Sequence, residues 1–118
     1  MLNEINILKA EIPGAIFIIL SQLNDGILTV ERRTPRRALN YPTMNDIFGS
    51  RSSYHLADYV MVLMNPEKIG YKEGEYGPKP LPVKGKIYLH LLKARDNESE
   101  VVILLNNNLK YNKLSWIP

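Results

Sequence analysis

Ala15, Ile16, Phe17, Ile18, Ile19 and Leu20 form an unbroken apolar run that begins after a Pro13-Gly14 break and ends in Ser21, Gln22, Leu23 and Asn24. Four of the six residues are β-branched or aromatic, which favours an extended chain over a helix. A strand that is apolar at odd and even positions alike hides both faces. Such strands lie mostly in the middle of parallel sheets covered by helices on each side. Residues 15–21 therefore predict a central strand. In open α/β sheets ligands sit at the carboxyl ends of the strands, so Gln22 stands where an amide would meet one. The plainer reading is that Ser21 and Gln22 close a core strand and begin a loop.

Ahead of this run, Leu2, Ile5 and Leu8 recur every three residues with Glu4, Lys9 and Glu11 between them. That is the pattern of a short amphipathic helix over residues 2–11. Helix, tight break and buried strand make half of a βαβ unit, so the chain reads as part of a larger fold. Its 118 residues suffice for one domain with a modest core. With 45% hydrophobic and 23% charged residues the composition is that of a globular protein. The absence of cysteine excludes disulfides, thiolate metal sites and cysteine nucleophiles. His55 and His90 lie far apart, without metal-ligand spacing. A net charge of +3 permits a polyanionic partner without requiring one. No apolar run approaches the roughly 20 residues that span a bilayer, and no basic segment followed by an apolar core opens the chain. The expectations are no membrane partner and a cytoplasmic location.

Residues 25–43 change character. Asp25-Gly26 is followed by Glu31, Arg32, Arg33, Thr34, Pro35, Arg36 and Arg37, so four arginines fall within six positions around a proline. A long aperiodic loop in a compact domain is usually functional or disordered, and the arginine fork suits phosphate. A plain solvated basic loop accounts for the composition equally well. Thr43 and Asp46 then take the N-cap and N3 positions of a capping-box-like helix start. Phe48, Gly49, Ser50 and Arg51 follow, a turn suited to cradling a phosphate and stacking a base, or simply to turning.

Residues 57–64 form a second apolar run, stopped by Asn65-Pro66. Residues 66–84, rich in glycine, proline and charge, predict a mobile surface excursion that Tyr71 and Tyr76 could hold down. Residues 86–93, 101–105 and 113–117 read as three further strands. They are separated by polar turns at 96–98 and 106–108 and so form antiparallel hairpins. The expected fold is α/β: a mixed sheet, parallel at the centre and antiparallel at the C-terminal end, in a single partial domain over residues 1–118.

Three features occur in order: a buried strand ending in Ser21, Gln22, Leu23 and Asn24; Asp46, Gly49, Ser50, Ala57 and Asp58 leading into a second strand; and a third strand ending in Lys93, Ala94 and Arg95. This order resembles the C-terminal half of the RecA-like motor domain in DnaB-family replicative DNA helicases, of phage or mobile-element type. The resemblance runs from about Leu2 to Trp116. It implies a partial RecA-like fold contributing to a hexameric, ATP-driven and Mg²⁺-dependent motor on single-stranded DNA. It also implies roles: Gln22 as the γ-phosphate-sensing amide, Arg95 as an arginine finger acting in trans, and Lys93 as its companion on the same phosphate. Cations placed where phosphoryl charge develops supply most of the catalysis in such motors. Phe48, Gly49, Ser50 and Arg51 would form the DNA-channel loop, and Arg32, Arg33, Arg36 and Arg37 a second loop facing the channel.

The sequence departs from the family at Asp25, where a base is usual, and at residues 48–51, where an Arg-Glu-Ser-Gly pattern is usual. Asp96, Asn97 and Glu98 replace the glycine-containing turn after the Lys-x-Arg motif. No Gly-x-x-x-x-Gly-Lys-[Ser/Thr] occurs, and the Walker B strand is absent as well. By itself the chain is expected to bind no ATP or Mg²⁺ and to hydrolyse nothing. The alternative is a stand-alone, non-enzymatic α/β module that binds nucleic acid or a protein.

Overall fold

The computed structural model describes residues 2–29, 32, 40–47, 55–96 and 100–116, with side chains from residue 4 onward. Helix α1 spans Leu2–Glu11, as the three-residue spacing predicts, with Glu4 in its first turn and Lys9 in its last. Both charges oppose the helix dipole favourably. Gly14, at φ +84°, turns the chain out of the helix in a conformation that side chains other than glycine rarely adopt.

Four strands follow: β1 (Tyr59–Met64), β2 (Lys86–Ala94), β3 (Val101–Asn108) and β4 (Lys113–Trp116). They pair in chain order, and every ladder is antiparallel. Short connections account for the β2–β3 and β3–β4 ladders, since strands joined by tight turns return antiparallel; β1 and β2 are joined instead by residues 65–85. Asn106, Asn107 and Asn108, predicted as a turn, instead prolong β3, and Asn107 and Asn108 pair with Leu114 and Lys113. A bulge between Val60 and Met61 shifts the register of β1 against β2.

The parallel centre expected for a RecA-like sheet is not found among the described residues. Residues 15–20 are not helical, and they carry no ladder. Ile16, Ile18 and Leu20 are 86%, 82% and 91% exposed. The reason is physical: an apolar run becomes a central strand only where a backbone edge and two covering layers are present to receive it. What the described residues build is a small α/β domain of one helix and a four-stranded antiparallel sheet.

The core lies on one side of that sheet. Along β1 the burial alternates, with Val62 and Met64 inward and Tyr59, Met61 and Leu63 outward, the period of two that a strand imposes. Tyr88 and His90 of β2 face the same way as Val62 and Met64. The layer covering them is residues 66–84, against expectation. Tyr71, Tyr76 and Val83 are buried there, so Tyr71 and Tyr76 do hold the segment down. Its acids accept backbone N–H groups: Glu73 takes those of Val83 and Lys84, each at 3.1 Å, and Glu67 takes that of Gly85 at 2.9 Å. Glu67 and Glu73, though exposed, thus tie the segment's own backbone together, and the excursion is a packed layer.

Asn40 locks the layer from the other side. Fully buried, it donates to the Glu75 carbonyl at 2.9 Å and accepts from the Gly77 N–H at 2.8 Å. Gly77 sits at φ +85°, and a Cβ there would stand 2.8 Å from Leu81 Cδ1 and 3.0 Å from the Tyr41 ring. Only glycine fits without displacing those neighbours.

Candidate functional site

The C-terminal end of β2 gathers charge. Tyr59 pairs with Ala94, so the antiparallel register sets Asp58 beside Arg95. The Arg95 N–H donates to the Asp58 carbonyl at 2.9 Å, and Arg95 Nη1 meets Asp58 Oδ1 at 2.6 Å. Lys9 Nζ of α1 reaches the other carboxylate oxygen of Asp58. Lys93, two residues before Arg95, donates from Nζ to the His55 carbonyl at 2.9 Å. The Asp58 carboxyl is held below the usual carboxylate range, first by the Lys9 hydrogen bond, against partial desolvation, and then by the charges of Arg95, Lys9 and Lys93. One carboxylate therefore holds two cations directly, Lys9 and Arg95, with the charge of Lys93 nearby. The side chain of Arg95 stays 53% exposed, and a guanidinium with five donors has several left for a further acceptor.

Gln22 lies elsewhere. It is exposed and lines an open groove of about 700 Å³ with Asn24, Asp25, Asn65 and Lys68, beside Leu63 and Met64 at the far end of β1. The length of β1, roughly 17–20 Å for six residues, separates it from the Asp58 cluster. The three expected nucleotide-contacting residues thus fall into two groups: Lys93 with Arg95, and Gln22 apart.

Arg32 is engaged internally. Its fork grips Asp46 with Nη1 to Oδ1 at 2.7 Å and Nη2 to Oδ2 at 2.8 Å, and Nη2 also donates to the Tyr41 carbonyl at 2.9 Å. Asp46 is buried, and its Oδ2 also accepts the Thr43 N–H at 2.7 Å, the reciprocal bond of the expected capping pattern around a single 3₁₀ turn at Met44–Asp46. Burial opposes ionisation of Asp46, but the Arg32 fork and the Thr43 bonds outweigh it, and the carboxyl sits below its ordinary value. Arg33, Arg36, Arg37, Phe48, Gly49, Ser50 and Arg51 lie outside the described residues.

Sequence reasoning gave no role to Lys9, His55 or Asp58 in the strand-end cluster. The hairpin register would have found Asp58, because pairing Tyr59 with Ala94 makes its neighbours meet; no local signal points to Lys9. It also missed a ring cluster under the sheet. Tyr76 is surrounded by Tyr88, Tyr41, Tyr71 and His90 with ring centroids at 5.1, 5.3, 5.5 and 5.9 Å.

Among the described residues no three metal-ligating side chains converge, and the sequence holds no phosphate loop. Among the described residues no helix is long and apolar enough to cross a membrane. Compared with models of known families, with curated proteins and with solved structures, the chain gives no significant match.

Proposed function

We propose that this chain is the C-terminal portion of a ring-shaped, ATP-driven helicase motor of the DnaB type, and that Lys93 and Arg95 act in the nucleotide site of a neighbouring subunit. The observation that carries the reading is the convergence of Lys93 and Arg95 on residues 55–58. Two motifs that are merely in order along the sequence become one charged strand end. Arg95 is tethered by Asp58 on one side and open to solvent on the other, the arrangement a trans-acting guanidinium needs to be positioned without being buried. Gln22, at the opposite end of β1, would sense the phosphate on its own side of the subunit.

Lys9 holds α1 at Asp58, just before β1, and Leu23 lines the groove beside Met64, at the end of β1. The Arg32–Asp46 pair narrows the DNA-loop assignment. Arg32 is held by Asp46 and the Tyr41 carbonyl, so on this reading contact with DNA falls to Arg33, Arg36, Arg37, Phe48, Gly49, Ser50 and Arg51.

The test supplies a phosphate-loop-bearing motor segment in trans and measures ATP turnover of the assembled ring. Arg95→Ala is expected to cut turnover by about 10³-fold or more, the range of trans-acting arginines. Turnover unchanged by Arg95→Ala would refute the assignment.

A further inference from the structure

The exposure of residues 16–20 alternates. Phe17 and Ile19 are 38% and 47% exposed, whereas Ile16, Ile18 and Leu20 are 82% or more exposed. The exposure follows the period of two of a strand, with Phe17 and Ile19 the less exposed row and Ile16, Ile18 and Leu20 turned to solvent, and among the described residues no strand is paired with the segment. We infer that residues 16–20 pair antiparallel with the same residues of a second copy of this chain, about a two-fold axis through Ile18.

Self-complementarity is the argument for a second copy. An antiparallel pair centred on Ile18 sets residue 16 opposite 20, 17 opposite 19, and 18 opposite 18, so the three outward side chains of each copy meet on one face. A two-fold interface requires such a self-matching patch. No charged residue occurs between Glu11 and Asp25; nothing there repels a copy, and nothing there would steer a charged partner. The segment also lacks the lysines, prolines and bulges with which natural edges resist pairing. The far edge of the sheet differs, because β4 opens with Lys113.

Area sets the strength. A strand of this length covers roughly 400–500 Å² per copy, about half the share of a standard interface. The dimer is therefore small and reversible. The inference is independent of the motor reading, since no nucleotide, cation or DNA contact enters it.

The experiment is sedimentation velocity on the full chain from about 10 µM to about 1 mM, the range in which so small an interface dissociates. Wild type is expected to pass from monomer to a closed dimer. Ile18→Lys and Ile18→Glu, each at a solvent-exposed side chain, are expected to keep the wild-type circular dichroism and to remain monomeric, because like charges then face each other. An equimolar mixture of the two variants is expected to dimerise, because residue 18 meets residue 18. A wild type that stays monomeric or associates without limit, a single variant that dimerises like wild type, or a mixture that stays monomeric each overturns the inference.

Discussion

Tyr76 Oη and His90 Nε2 share a 2.7 Å hydrogen bond in the middle of the core, joining the packed 66–84 layer to the sheet. Both side chains are almost wholly inaccessible. Burial, reinforced by the neighbouring tyrosines Tyr41, Tyr71 and Tyr88, raises the Tyr76 pKa far above the ordinary phenol value. Tyr76→Phe keeps the ring and leaves His90 without this partner. The expected loss is about 1–3 kcal/mol, the cost of an orphaned buried polar group, read from urea denaturation. A neutral result would mean that water or another group satisfies the imidazole.

Burial also lowers the His90 pKa, to about 4 from an ordinary 6.5. Between those values the unfolded chain binds a proton that the native chain refuses. The stabilisation is complete above pH 6.5 and is lost as pH falls toward 4, amounting to about 3 kcal/mol. Asp46, with its pKa lowered in the fold, continues the loss at still lower pH. Denaturation midpoints at pH 7.5, 5.5 and 4.5 should fall in that order, with a flatter profile in His90→Gln. Equal midpoints at the three values would contradict a buried neutral imidazole.

Asp46→Ala strands the Arg32 guanidinium, whose side chain is 19% exposed. Removing one partner of a buried pair costs about 3–5 kcal/mol. The double variant with Arg32→Ala should recover part of that cost, because no unpaired charge remains. Purely additive losses in this cycle would show that the pair is not coupled.

Gly77→Ala is expected to cost at least about 1–2 kcal/mol from the left-handed backbone alone. The contact with Leu81 adds to it. A thermal melt unchanged from wild type would mean that the 66–84 layer shifts freely.

On the motor reading, single-stranded DNA binds through phosphate contacts, and its affinity falls steeply with salt as counterions are released. Arg36→Ala and Arg37→Ala should weaken binding alike on different sequences. Fluorescence anisotropy at several salt concentrations reads both effects, and binding indifferent to salt would exclude the electrostatic mode.

The sequence determined what local chemistry controls. Apolar residues three apart made α1, and apolar runs located the four strands and the antiparallel order of the last three; the antiparallel pairing of β1 with β2 was not legible, because 21 residues, 65–85, separate them. Thr43 and Asp46 announced their reciprocal bond. Tertiary structure decided the rest. Residues 15–20 have the composition of a central strand yet stand uncovered, because composition records a need for partners and not their presence. The glycines, prolines and acids of residues 66–84 resemble a solvated loop. Only the folded chain shows Glu67 and Glu73 accepting backbone N–H groups and Tyr76 filling the space beneath β2. Asp58 likewise acquires Arg95 from strand register and Lys9 from a helix about 50 residues away, contacts between groups too distant along the chain for any local pattern to encode.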